Sequence, residues 1–236
     1  MVSSLRKIIG KDVPIRCVNM LWHSRGQNFD VHEGDDLERL LFEDLNRQLP
    51  TASFLPVAHS FGIRPLLDFL EVEPMRCPEI IVEDSLPELS LSGFEFLSGV
   101  LKETPSQFED RASARDFFDL KYGSGVLSRF LLSNVGPDKE SGKMGWRFNS
   151  SALFALLQQA RTRPLWGTWE KYPGKINLFV GDKSDVLTSE LLENAVKRRA
   201  SLLLELSRFD QSAHWIHFDQ LEMFVHRVAK VFKGLD

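Results

Sequence analysis

Apolar positions along the chain recur at two spacings, one suited to strands and one to helices. Val13-Pro14-Ile15-Arg16-Cys17-Val18-Asn19-Met20-Leu21 is apolar and partly β-branched, which predicts a strand over 13–21. Residues 22–36 are polar, with Gly26, Gly34 and paired aspartates, and read as a loop. Asp35 or Asp36 stands where a helix N-cap belongs, and Leu37, Leu40, Leu41 and Leu45 recur at helical spacing as far as about residue 49. A short apolar run at 53–57 precedes Ala58-His59-Ser60-Phe61-Gly62, and Leu66, Leu67 and Leu70 then predict a helix. Glu79-Ile80-Ile81-Val82-Glu83 predicts a further strand. From 88 to 165 the chain is polar and aromatic, with helical pieces, no clear strand, and a Gly/Pro/Lys-rich break at 136–145. Strand character returns at 175–180, a helix is predicted over 188–200, and Leu202, Leu203, Leu204 and Leu206 suggest a last short strand. After a loop at 207–214, Leu221, Phe224, Val225, Val228, Val231 and Phe232 mark a C-terminal helix.

Strands alternating with helices imply βαβ units and a parallel sheet, hence an α/β fold. The helical stretch 88–165 reads as a cap inserted into a single domain spanning 1–236, rather than as a second domain.

Charge and composition narrow the function classes. Lys and Arg total 29 against 33 Asp and Glu, a formal net charge of −4, so no basic field awaits a phosphate backbone, which argues against nucleic acid as a partner. No run of about 18 apolar residues could span a membrane. Cys17 and Cys77 form no Cys-x-x-Cys pair, which sets aside a zinc site of the usual spacing and a disulfide scaffold. Two thiols and no signal-peptide pattern at the N-terminus lead to the expectation of a cytoplasmic protein, with mitochondrial placement as the alternative should a transit peptide precede this sequence. Asp182-Lys183-Ser184-Asp185 lacks the Asp-x-Asp pair of a metal or phosphate aspartate motif. No cofactor or metal is expected.

The chemistry concentrates around Ser60. Ala58-His59-Ser60-Phe61-Gly62 lies between a predicted strand and a predicted helix, where a nucleophile elbow of the form Gly-x-Ser-x-Gly belongs. Such a turn is sharp, so small residues are expected on both sides of the serine. A serine hydroxyl needs a base to take its proton, and that base needs a carboxylate to orient it. Ser60 precedes Asp84 and Asp185, and both precede His214, which gives the order serine, acid, histidine. His214 sits in the loop between the last strand and the last helix, and either aspartate can be the acid on this reading.

Taken together, Val57 to Gly62, Ile81-Val82-Glu83-Asp84-Ser85-Leu86-Pro87, Arg129-Phe130-Leu131-Leu132-Ser133-Asn134, Trp146-Arg147-Phe148-Asn149 and Ala213-His214-Trp215-Ile216-His217 resemble the α/β-hydrolase superfamily. Within it, the likeness is to a branch of small serine esterases that includes fungal ethanol acetyltransferases. The resemblance implies an α/β-hydrolase fold with a helical lid after the strand that follows the elbow. It also implies hydrolysis of short-chain carboxylic esters or thioesters, with acyl transfer to alcohols as a possible extension. Carried over residue by residue, Ser60 is the nucleophile, His214 the base and Asp84 the acid, because Ser184 stands where other members place their acid. Asp185 remains the alternative acid. The backbone N–H of Phe61 is the implied oxyanion donor, His59 packs under the elbow, and His217 is structural. Phe94, Phe96, Phe117, Phe118 and Phe130 suggest an apolar acyl pocket.

Two departures from the family pattern bear on competence. No His-Gly string precedes Ser60, so the resemblance implies that the first strands and one oxyanion donor are missing, an N-terminal truncation. Leu21-Trp22-His23-Ser24-Arg25-Gly26 keeps only the glycine of the corresponding family motif, and Ile63 replaces a glycine after the elbow. From these follows the expectation of weak turnover, and the alternative of a catalytically impaired hydrolase-fold interaction protein.

Overall fold

The computed structural model describes residues 1–18, 37–49, 51–138, 141–199 and 201–234. Its strands are β1 (Val57–His59), β2 (Glu79–Glu83), β3 (Gln107–Phe108), β4 (Val135–Pro137), β5 (Met144–Trp146), β6 (Lys175–Gly181) and β7 (Leu204–Phe209). Its helices are α1 (Val2–Ile9), α2 (Leu37–Gln48), α3 (Ile63–Val72), α4 (Leu91–Glu103), α5 (Arg111–Tyr122), α6 (Val126–Ser133), α7 (Ser150–Thr162), α8 (Trp166–Lys171), α9 (Ser189–Lys197), α10 (Ile216–Asp219) and α11 (Leu221–Lys233). The chain divides into two compact units. One comprises Met1–Val18, Leu41–Ser90 and Ala160–Asp236, and the other includes Leu91–Gln159.

The first unit is built on a sheet ordered β1-β2-β6-β7 among the described residues, with every neighbouring pair parallel. A parallel sheet is covered on both faces, so its inner strands read as unbroken apolar runs. β2 shows this directly, with Ile80, Ile81 and Val82 all fully buried. Ile80, Val82, Ile176, Leu178 and Val180 point to one face, where Leu66, Leu67 and Phe69 of α3, Trp169 of α8 and Ala195 of α9 pack. Ile81 and Phe179 point to the other, against Leu5 of α1 and Phe224, Val225 and Val228 of α11. Asn177 is buried among them with its amide satisfied, donating to Glu79 Oε2 at 3.0 Å and to the Ile80 carbonyl at 3.2 Å.

The second unit has its own interior, made by Val100, Phe108, Ala114, Phe118, Leu131 and Val135. Asp110 and Ser113 close a reciprocal capping box at the start of α5. This region departs from the all-helical expectation for 88–165. It carries an antiparallel sheet ordered β3-β5-β4, and the Gly/Pro/Lys-rich stretch at 136–145 includes Gly136 and Pro137 of β4 and Met144 and Gly145 of β5. Strands of two or three residues are too short to show an alternation of period two.

Other boundaries also move. The strand expected over 13–21 is absent from its described part: Val13–Val18 is irregular, and residues 19–21 lie outside the described residues. Pro14 removes a ladder donor there, while Ile15 and Val18 pack as partly buried side chains against the two faces of the sheet unit. The loop at 22–36 and the cap at Asp35 or Asp36 also lie outside the described residues. The run at 53–57 yields strand only from Val57 onward.

β7 starts at Leu204, not Leu202, because the Leu203 carbonyl accepts from Arg199 Nε at 3.2 Å. The same buried guanidinium donates to the carbonyls of Trp169 at 2.5 Å, Tyr172 at 2.8 Å and Gly174, tying α8 and the start of β6 to the end of α9. Arg199→Met is therefore expected to strand several carbonyls and destabilise the fold by on the order of 3 kcal/mol. Arg199→Lys should be nearly as harmful, because one ammonium cannot reproduce the planar fork. Urea unfolding followed by circular dichroism reads both, and an unchanged midpoint in either variant would refute the clip.

Candidate active site

In an open parallel sheet, ligands and reacting groups gather beyond the carboxyl ends of the strands. Here β1 ends at His59 and hands over to Ser60, and β2 ends at Glu83 and hands over to Asp84. β6 ends at Gly181 before Ser184, and β7 ends at Phe209 before the loop bearing His214. Four strand ends thus supply one cluster.

Ser60 opens a 3-10 turn, Ser60–Gly62, that leads into α3. Its φ is +53°, in the left-handed region that L-residues avoid by about 1–2 kcal/mol. Ser60 therefore stands at a sharp strand-to-helix turn, the backbone form in which an elbow of the kind expected from the sequence would present its serine. One part of that reasoning needs correction. Gly62 has φ −61°, and a Cβ there would meet nothing within 4 Å among the described residues, so this turn does not demand glycine at that position.

His214 Nε2 lies 2.9 Å from Ser60 Oγ, and His214 Nδ1 lies 2.9 Å from Asp84 Oδ2. The carboxylate partner assigns the proton to Nδ1, which leaves the Nε2 lone pair facing the serine hydroxyl. Asp84 is fully buried and also has a positive φ, +47°. Besides His214, it accepts from Ser184 Oγ at 2.5 Å and from the Gly181 N–H at 3.1 Å. Three donors are what a buried carboxylate needs in place of water. Asp185, the alternative acid, is exposed on the same loop while Asp84 holds the place beside the imidazole. The loop carrying His214 is itself pinned, with the Ala213 N–H donating to Asp219 Oδ2 at 2.9 Å. Phe61, whose N–H the sequence offers as an oxyanion donor, follows Ser60 within the 3-10 turn.

A second layer of titratable groups lies just behind. His59 Nε2–H donates to the His214 carbonyl at 2.9 Å, and the two rings are 4.6 Å apart between centroids. Burial pushes the His59 imidazolium down to about 4 against the opposing pull of Glu83, so its ring is neutral at neutral pH. Buried Glu83 accepts from both the backbone N–H and Nδ1 of His217, each at 2.8 Å. The donor atoms of His59, Glu83 and His217 lie within 4.8 Å of one another, near enough to serve as a metal-ligating set.

Sequence reasoning missed Ser184 and Glu83 as contributors. Ser184 drew notice only as a missing acid, although its place three residues beyond Gly181 sets it beside Asp84. Glu83 carried a signal too, since a charge ending an otherwise apolar buried strand needs a partner. Of the phenylalanines expected to line an acyl pocket, Phe118 is fully buried inside the second unit and Phe117 packs against it at 5.5 Å.

No protein-family model matches the chain, and no curated protein matches it. Solved structures do. A crystal structure of E-2-(acetamidomethylene)succinate hydrolase aligns with a TM-score of 0.70 at 14% identity, covering 83% of this chain and 74% of the other. A marine microorganism esterase gives 0.64 at 18% identity, over 84% and 78% of the two chains. An alpha/beta hydrolase from Novosphingobium aromaticivorans gives 0.63 at 16% identity, over 89% and 77%. The chain has the α/β-hydrolase fold. At these identities the likeness is one of fold alone, and fold does not fix function. Within the α/β-hydrolase frame, the parallel sheet with helices on both faces explains why Ser60, Asp84 and His214 meet although they lie far apart in the chain.

Gly181 links that frame to the cluster. A Cβ there would run into the backbone oxygens of Ala213 and Ser212, which cannot swing aside as a side chain would. Gly181→Ala should therefore push the His214 loop away from Asp84 and lower stability by roughly 1–3 kcal/mol, the range of overpacking a close contact. Thermal unfolding checks this, and a wild-type melting temperature would show that the loop has slack.

Proposed function

We propose that this chain is a serine hydrolase acting on short-chain carboxylic esters or thioesters through an acyl-enzyme. The observation that carries the reading is the unbroken hydrogen-bonded line from Ser60 Oγ through the His214 ring to buried Asp84.

In this mechanism Ser60 Oγ attacks the substrate carbonyl carbon while His214 Nε2 takes the hydroxyl proton. The carbonyl oxygen becomes an oxyanion, toward which the Phe61 N–H donates. Asp84 keeps its negative charge throughout. It holds His214 in the tautomer that can accept at Nε2 and stabilises the imidazolium that forms. The tetrahedral intermediate collapses, the bond to the leaving oxygen or sulfur breaks, and His214 returns its proton to the leaving group. Water then attacks the Ser60 ester by the same route in reverse and releases the acid. An alcohol taking the place of that water would give acyl transfer.

Ser184 acts on this machinery indirectly. It shares Asp84 Oδ2 with His214, so it fixes the carboxylate plane from which the imidazole takes its orientation.

Ser60→Ala is expected to abolish labelling by a fluorophosphonate probe and turnover of p-nitrophenyl acetate. Retained labelling in that variant would mean that the nucleophile lies elsewhere. Asp84→Asn should lower kcat by about 10⁴, since an amide favours the wrong imidazole tautomer, whereas Asp185→Asn should leave the rate within about twofold. The opposite pattern would exchange the two aspartates. Ser184→Ala should fall between, with roughly a tenfold loss, the size expected for one hydrogen bond to a charged group. Its KM should be unchanged, which separates a positioning effect on the base from lost substrate contact.

A further inference from the structure

Every member of the Ser60–His214–Asp84 line has a shadow close by in sequence. His59 precedes Ser60, Glu83 precedes Asp84, and His217 follows His214 by three residues in the same loop-to-helix segment. The sheet makes this pairing systematic. His59 and Glu83 are register partners across the parallel β1–β2 ladder. Residues paired in this way project to the same side of a sheet. His217 reaches the pair from the start of α10, with its ring 5.1 Å from that of His59 in an edge-on arrangement.

The hydrogen bonds of the two rings settle their tautomers. A carbonyl oxygen only accepts, so His59 carries its proton on Nε2 toward the His214 carbonyl, and its Nδ1 keeps a lone pair. Both Glu83 oxygens face His217 Nδ1, at 2.8 and 3.0 Å. One ligand atom from each of His59, Glu83 and His217 lies within 4.8 Å of the others. The mechanism above uses none of these three side chains. A divalent ion shared by Glu83 and His217 would displace the proton between them, so binding releases a proton and weakens as pH falls. Two imidazoles and a carboxylate form a donor set suited to Zn²⁺ with an open coordination position, and the Irving–Williams order favours Cu²⁺ at the same nitrogens. With its side chain 31% exposed, His217 gives the site a side from which an ion can enter.

We propose that His59, Glu83 and His217 form a binding site for a divalent transition-metal ion, and that the bound ion reversibly inhibits the hydrolase. The inhibitory part rests on the serine hydrolase reading, while the binding part does not. The physical link is charge. The His214 ring centroid lies 4.6 Å from that of His59. His214 must become an imidazolium as Ser60 attacks, and a dication next to it opposes that protonation. Closing His59 onto an ion would also pull on the hydrogen bond by which it holds the His214 carbonyl.

The test begins with binding alone. Purified full-length protein titrated with Co²⁺ should show visible d–d absorption saturating at one ion per chain, and Zn²⁺ should bleach it. His217→Gln should weaken the Co²⁺ affinity by at least about 10–100-fold, since losing a ligand costs no less than losing the hydrogen-bond partner of one. His226→Gln should leave it unchanged, since His226 lies apart on α11, bonded to its own Glu222 carbonyl. Anomalous diffraction at the zinc edge from Zn²⁺-soaked wild-type crystals should place the ion between His59 and His217, which tests the site without a variant that might misfold. No saturable binding, an ion elsewhere, or equal affinity in His217→Gln would overturn the site. With p-nitrophenyl acetate as substrate, Zn²⁺ should lower wild-type turnover at least tenfold, with recovery on adding EDTA. His217→Gln should retain its basal rate and resist the metal. Binding at the site without inhibition of an active enzyme would overturn the regulatory claim alone. An enzyme inactive even without metal would instead sink the hydrolase reading and leave the binding result standing.

Discussion

A buried negative charge is the constraint around which the sheet unit is arranged. Asp84 has no exposure to water, and an unpaired carboxylate in that position would be strongly destabilising. Its donors come from the end of β6, the loop after it and the loop after β7. The β2–β6–β7 register, the absence of a side chain at Gly181 and the path of the His214 loop therefore all answer to one group. Satisfying Asp84 also delivers an oriented imidazole to Ser60.

How much of this was legible in the sequence follows from the physics of each element. β2 and β6 were readable because strands covered on both faces are continuous apolar runs, as Ile80 to Val82 and Ile176 to Val180 are. The elbow string, places just after predicted strands and chain order together narrowed the candidate site to Ser60, His214 and two aspartates, because an elbow and a post-sheet histidine have fixed places in such a topology. The choice between Asp84 and Asp185 was not contained in composition or spacing. It depends on which loop turns inward, and that is decided by tertiary hydrogen bonds from Gly181 and Ser184. The start of β7 was misplaced for a similar reason. The leucines at 202–206 look uniform, but Arg199 claims the Leu203 carbonyl and Leu202 is 89% exposed. The short strands of the second unit had no periodic signal to find.

The two layers at the strand ends also show how a parallel ladder gathers polar side chains into two neighbouring clusters. Adjacent residues on a strand face opposite ways, so a strand end that presents Ser60 in one direction must present His59 in another. The same holds for Asp84 and Glu83. Polar side chains at both positions of each pair were not signalled by any single motif, yet register brings His59 beside Glu83, and the segment after β7 supplies His214 to one set and His217 to the other.

The positive φ angles at Ser60 and Asp84 carry a further implication. Glycine occupies that backbone region without penalty, so glycine at either site would relieve strain, but at position 84 it would also leave the Gly181 N–H, the Ser184 hydroxyl and His214 Nδ1 without their buried acceptor. A lineage selected for folding alone would drift toward glycine at position 60 and not at position 84. Serine at position 60 runs against the backbone preference of its turn, and sequences of descendants of this chain would record, at that codon, whether selection acts on chemistry or only on shape.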